Sequence, residues 1–243
     1  MHPAVILIPT YNESANAPAM ARTVLESGLP IDLLFIDDAS PDKTGEILDQ
    51  LAAAHPGIQV MHRPSKQGLG SAYLAGFAWS LRHHYSYSIC MDADFSHDPA
   101  DLPRFLEQLE SRDLVCGSRY LPSGGIVNWP RHRRLLSRSA ALYSRLLTRM
   151  PFTDPTGGFN GYRNDMLSQL PLNTISSQGY SFQIEMKVLA WKQGFRTGEI
   201  PILFTERRTG KSKMSVGIIR EALWIVWKLV LKGKFSPYLT DSG

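Results

Sequence analysis

Two carboxylates one residue apart, Asp92 and Asp94, carry the clearest chemical signal in this chain of 243 residues. They follow residues 87–91, Tyr-Ser-Ile-Cys-Met, a short apolar run that reads as a buried strand. The carboxyl end of a central strand is where open α/β sheets bind ligands. Carboxylates that close raise each other's proton affinity unless a cation sits between them. The fitting cation is Mg²⁺ or Mn²⁺, held by one or two carboxylates and completed by substrate phosphates and water. The triplet therefore points to a metal-bound diphosphate. Two solvated loop aspartates would give the same spelling, so the elements around it must decide.

Those elements alternate. Strands are expected at 5–8, 33–36, 58–61, 87–91 and 114–116, with helical segments between them at 15–27, for about ten residues from 45, to about 84, and from 98 to about 110. Asp98-Pro99 reads as the cap and first turn of the last of these. Alternating β and α with short loops predicts a parallel sheet covered on both faces. In such a sheet the strand ends share one edge. The polar groups at 10–13, Asp37 and Asp38, the Lys66 loop, Asp92 and Asp94, and Arg119 each follow a strand, so they are expected to converge. That convergence favours the site over two wet aspartates. A dinucleotide fold is the nearest competitor, but G-x-G-x-x-G is missing after the first strand, and no P-loop is present.

Composition fits one globular domain, or one with a modest extension: 43% of residues are hydrophobic. Cys90 and Cys116 lie in apolar runs without metal-ligand spacing, as in a reduced cytosolic protein. The seven histidines form no zinc pattern. The apolar run near the N-terminus is too short for a signal-peptide core. The net charge of +4 is uneven: residues 119–153 hold seven arginines and no acid. Arg207, Arg208, Lys211 and Lys213 form a second cluster. Two basic clusters after the D-x-D imply an anionic partner. The arginines lack the interleaved aromatics of nucleic-acid modules, so nucleic acid is not expected.

Pro9-Thr-Tyr-Asn-Glu13, Asp37-Asp38-x-Ser-x-Asp-x-Thr44, Lys66-x-Gly-Leu-Gly70 and Asp92-Ala-Asp94-x-Ser-His97 resemble the family-2 glycosyltransferases of GT-A fold. Gly117-Ser-Arg-Tyr120, Asn128-Trp-Pro, Arg133-x-x-x-Ser137, Asp154-x-Thr-Gly-Gly-Phe159, Gly179-Tyr-Ser-Phe-Gln183 and Glu206-Arg-x-x-Gly-x-Ser-Lys213 extend the likeness. Together they resemble the dolichol- or polyprenol-phosphate mannose synthases over about residues 4 to 231. The resemblance implies a Rossmann-like, mostly parallel sheet with helices on both faces. It implies that Pro9, Tyr11, Glu13 and Asp38 hold the nucleoside of GDP-mannose, with Lys66 near its phosphates. Asp92 and Asp94 would bind Mg²⁺ or Mn²⁺, Asp94 in a catalytic role. Some relatives carry a ligating Gln where Ser96 stands, so the third protein ligand is open. Arg119, Arg133, Ser137, Arg207 and Lys213 match positions that gather the acceptor phosphate and the leaving diphosphate.

The implied acceptor is a polyprenyl or dolichyl monophosphate, whose oxygen is already ionised near neutral pH and needs no base. Attack opposite the diphosphate inverts the anomeric centre to a β-linked product, with positioning and charge stabilisation lowering the barrier. The same chemistry from UDP-glucose to undecaprenyl phosphate is the alternative.

Residues 216–231 are the most apolar stretch, yet contain Arg220, Glu221 and Lys228 and are too short for a good membrane span. Two readings stand: a helix packed on the domain's own core, or an interfacial amphipathic helix with Trp224, Trp227 and nearby lysines. We expect the second. The expected division is a catalytic domain at 1–214 and a membrane-interface segment at 215–243. Peripheral binding on the cytosolic face of a membrane follows, with a small membrane subunit as a conceivable partner.

Overall fold

A computed structural model of the chain describes residues 3–175, 177–206 and 224–230. The first half follows the expected alternation: β1 (Ala4–Thr10), α1 (Ala17–Glu26), β2 (Ile31–Asp37), α2 (Thr44–Ala54), β3 (Ile58–His62), α3 (Leu69–Arg82), β4 (Tyr87–Cys90), α4 (Leu102–Leu109) and β5 (Leu114–Ser118). Asp98 caps the 3₁₀ turn Pro99–Asp101 that leads into α4, its carboxylate accepting the Ala100 N–H. The second half adds β6 (Gly125–Val127), α5 (Arg131–Thr148), β7 (Asn160–Arg163), α6 (Asn164–Gln169), α7 (Gly179–Lys192), β8 (Thr197–Pro201) and β9 (Leu203–Thr205).

Seven strands form one sheet in the order β3-β2-β1-β4-β7-β5-β8. All neighbours are parallel except β7, which runs antiparallel between β4 and β5. The sheet is thus mostly parallel, as expected, with β7 reversed. β7 escapes the pattern because Asn-Gly-Tyr-Arg has no apolar run; it is buried through its neighbours. Gly161 at its centre has α4 lying directly on it: a Cβ there would sit 2.9 Å from Leu109 Cδ1.

The sheet buries both faces with period two. Val5 and Leu7 of β1 and Leu34 and Ile36 of β2 join a core with Tyr73 and Phe77 of α3 and Phe182 and Met186 of α7. Ile6, Ile8, Leu33 and Phe35 join the other, under α1, α2 and α4. At roughly 25 cal/mol per Å² of apolar surface removed from water, these two cores are the main stabilising term. Residues 224–230 are helical. Ile225, Val226 and Leu229 enter the core that holds α3 and α7, while Trp224 and Trp227 stay exposed. That stretch packs on the domain itself; the rest of the expected interfacial helix lies outside the described residues. Among the described residues no helix is long and apolar enough to cross a membrane.

Candidate active site

The strand ends open on a cleft of about 300 Å³. From β1 come Pro9 and Thr10, with Tyr11 and Glu13 just beyond. The segment after β2 is tied to itself: Asp37 accepts from Ser40 Oγ at 2.6 Å, and Asp42 from Thr44 Oγ1 at 2.5 Å and from the Ser14 N–H. Of its three aspartates, only Asp38 lines the cleft. Arg63, from the loop after β3, gives Nη1 to Asp38 at 2.7 Å and Nη2 to Gln67 and Ser71. Burial raises the Asp38 proton affinity and Arg63 opposes it, with a net rise. Lys66 places its Nζ 3.9 Å over the Tyr11 ring.

β4 ends at Cys90, and the chain turns sharply through Asp92-Ala-Asp94. Phe95 adopts φ +59°, left-handed backbone that a side chain of this size occupies at a cost of roughly 1–2 kcal/mol. Two bonds hold the turn: the Ser96 N–H donates to Asp94 Oδ1 at 3.0 Å, and the Asp92 N–H to His97 Nδ1 at 3.2 Å. His97 is buried, stacked on Phe159 and edge-on to Phe204. Burial depresses its proton affinity below the ordinary histidine value. Asp92, Asp94 and Ser96 all line the cleft. Among the described residues no third His, Cys, Asp or Glu completes a metal cluster with them. Two carboxylates and a hydroxyl are hard oxygen donors, and they fit a Mg²⁺ or Mn²⁺ ion that takes its other ligands from phosphate and water.

The opposite wall is built on buried charge. Arg119, just past β5, donates Nε and Nη2 to the two oxygens of Asp154 at 2.6 and 2.8 Å. Lys187 of α7 is fully buried and gives its Nζ to the carbonyls of Asp154 and Gly157, each at 2.9 Å. Glu199 of β8 accepts the N–H groups of Thr153 and Asp154. With Arg119 and Lys187 beside it, Asp154 keeps its proton affinity below the ordinary carboxylate value despite burial. This network fixes the loop that brings Thr156, Gly157 and Gly158 to the cleft. Gly157 is required there, since a Cβ would stand 2.9 Å from the Gly117 carbonyl.

The mouth is closed on one side by the parallel pair β6 and β9. Phe204 of β9 packs edge-on to Trp129. Arg133 of α5 lies 3.8 Å over the Trp129 ring and donates Nη1 to Glu206 Oε1 at 2.5 Å. Pro9, Tyr11, Glu13, Asp38, Lys66, Asp92, Asp94, Arg119 and Arg133 therefore all meet in one cleft. Ser137 does not line it; one turn beyond Arg133, its Oγ accepts from Tyr120 Oη at 2.6 Å. Arg207 and Lys213 lie outside the described residues. Sequence reasoning gave no role to Arg63, His97, Trp129, Gln183, Lys187 or Glu199. His97, Trp129 and Gln183 stood inside quoted motifs, and the alternation of Gln183, Glu185 and Lys187 with apolar residues along α7 was a signal available for Lys187.

The arrangement can hold a metal-bound anion at the β4 end and a second anion at Arg133. Residues 5–170 match the model of glycosyl transferase family 2. The chain is 45% identical to the polyprenol monophosphomannose synthase of Mycolicibacterium smegmatis over 234 residues, 96% of this chain and 88% of that one. It is also 45% identical to the undecaprenyl-phosphate mannosyltransferase of Micrococcus luteus, covering 89% of each. Among solved structures, the fold resembles glucosyl-3-phosphoglycerate synthase from Mycobacterium tuberculosis in complex with UDP. That likeness has a TM-score of 0.67 at 17% identity, covering 100% of this chain and 82% of that one. The chain belongs to glycosyl transferase family 2.

Proposed function

We propose that this chain transfers mannose from GDP-mannose to a polyprenyl or dolichyl monophosphate, with inversion, giving a β-linked lipid phosphomannose. The observation that carries the reading is the cleft itself, which sets the Asp92–Asp94 pair and the half-buried Arg133 into one wall-to-wall site. The names of the two relatives narrow it to mannose and a polyprenyl phosphate.

In this reading Tyr11, Glu13 and Asp38 bind the nucleoside, and Asp92 and Asp94 hold the divalent metal. When bound, that ion neutralises charge on the donor diphosphate. Lys66 adds positive charge on the same side. Arg133, stacked on Trp129, orients the acceptor phosphate; its planar fork suits phosphate and keeps its proton. Arg119 supports the wall through Asp154. The acceptor oxygen is ionised, so these residues align two anions and exclude water rather than remove a proton.

Peripheral membrane binding is supported by α5. Leu135, Leu142 and Leu146 are 68%, 55% and 68% exposed and fall on one line of the helix. Arg131, Arg138 and Arg145 recur every seven residues beside that line. Leucines flanked by arginines on the helix that also carries Arg133 suit an anionic bilayer at the mouth of the site.

The test is direct. Purified protein with Mg²⁺ or Mn²⁺, a polyprenyl phosphate in anionic vesicles and GDP-mannose should yield a glycolipid; a product from UDP-glucose alone would overturn the assigned donor.

A further inference from the structure

Two neutral hydrogen-bond donors in the cleft have no use in the scheme above. His97 Nδ1 accepts the Asp92 N–H, so it carries no proton; the ring is neutral and its proton sits on Nε2. That Nε2–H has no hydrogen-bond partner among the described residues. It also has no lone pair to offer a metal. Gln183 is 1% exposed, and its Nε2 likewise has no partner among the described residues.

The orientation of the Gln183 amide is forced by a relay. The Gly157 carbonyl can only accept, so the Asn160 atom 2.9 Å away is Nδ2, a donor. That same Nδ2 lies 2.9 Å from Gln183, which must present its oxygen. Gln183 Nε2 is left as the donor that faces Gly158. Both residues flank Gly158: a Cβ there would lie 3.6 Å from His97 Cε1 and 3.8 Å from Gln183 Nε2. The space between them is kept by the missing side chain, immediately behind the Asp92–Asp94 turn.

We propose that His97 Nε2–H and Gln183 Nε2 form a subsite for the hydroxyl oxygens of the hexose being transferred, and so act as specificity determinants. The proposal rests on the sugar-nucleotide reading of the cleft. Position selects the hexose: a sugar joined to a diphosphate held at Asp92 and Asp94 must lie next to this corner. Charge supports it, since phosphates meet cationic groups elsewhere in the cleft and neutral donors suit neutral hydroxyls. The buried Gln183 donor is costly while unpaired, and a hydroxyl that takes it recovers that cost on binding. An analogue lacking the hydroxyl does not, which is how such sites discriminate.

The test uses Gln183→Met, which keeps the volume and removes the donor, and Gln183→Asn, which withdraws it, with a series of singly deoxygenated sugar nucleotides. For wild type, deletion of one hydroxyl should lower kcat/KM roughly ten- to a hundredfold. In either variant the parent donor should lose a similar factor and that same deletion should cost little more, while affinity for the free nucleoside diphosphate is unchanged. His97→Phe, which keeps the ring stack but also removes the acceptor of the Asp92 N–H, should show the same convergence at a neighbouring hydroxyl, read from the deoxy penalties alone. Equal loss of nucleotide affinity in the Gln183 variants, or undiminished deoxy penalties in any of the three, would overturn the proposal. If wild type uses UDP-glucose instead of GDP-mannose, the donor assignment fails, and the same comparison on deoxyglucose donors still decides the subsite.

Discussion

Arg119 gives Asp154 three donors, its backbone N–H at 3.1 Å, Nε at 2.6 Å and Nη2 at 2.8 Å, with both side chains at most 5% exposed. Such a pair holds the Thr156–Gly158 wall from inside. Removing one member strands the other as a buried charge. Asp154→Ala should therefore cost about 3–5 kcal/mol in urea unfolding. Arg119→Lys, which cannot reproduce the fork, should also destabilise. A loss under about 1 kcal/mol for Asp154→Ala would show that the pair does not hold the wall.

Acid should act through the same carboxylate. The proton affinity of Asp154 is lower in the folded chain than in the unfolded one. Its contribution is thus fully present above the unfolded pKa of about 4 and is lost as pH falls through the still lower folded value. Asp38 has the opposite sign: its proton affinity is raised, so it favours the fold most when protonated and loses that contribution as pH rises. Melting temperature followed from pH 6 to pH 2 should fall more steeply in wild type than in Asp154→Asn.

Metal dependence should be absolute. Asp94→Ala should abolish transfer at any Mg²⁺ or Mn²⁺ concentration, and a chelator should do the same to wild type. Near-normal turnover in either case would remove the metal from the mechanism.

On the proposed function, Glu206 competes with the acceptor phosphate for Arg133. Its carboxylate lies 2.5 Å from Arg133 Nη1, and the Arg133 guanidinium sits 3.8 Å over the Trp129 ring. Glu206→Gln should lower the KM for the lipid phosphate several-fold, whereas Arg133→Ala should raise it at least tenfold with little change in the KM for the donor; a bidentate charged contact is worth about 1.5–3 kcal/mol. Equal effects on both substrates would place Arg133 outside the acceptor site.

The leucine stripe of α5 can be separated from catalysis. Serine at Leu135, Leu142 and Leu146 should weaken binding to anionic vesicles at low salt by tenfold or more while the melting temperature is held, because those side chains are already in water. Co-sedimentation measures it. Undiminished binding would return the membrane contact to the segment after residue 206.

Much of the donor side was legible in the chain. Apolar runs at 5–8, 33–36 and 87–91 specify buried strands by burial alone, and local alternation then fixes which ends carry Thr10, Asp38 and Asp94. Short-range rules also placed the Asp98 cap, because one carboxylate and the N–H two residues on decide it. The sequence by itself thus determined the strand-end chemistry: acids able to share a cation, and arginines to meet an anion. Tertiary structure decided the rest, for reasons of distance along the chain. β7 is a strand only because β4 and β5 leave a gap that it fills. Arg119 is spoken for by Asp154, 35 residues away, and Arg133 by Glu206, 73 away. No local pattern shows that a guanidinium is already paired, or that Asn160 turns the Gln183 amide toward Gly158. Spacing names the groups that can do chemistry; only the packed fold shows which of their hydrogen bonds are already taken.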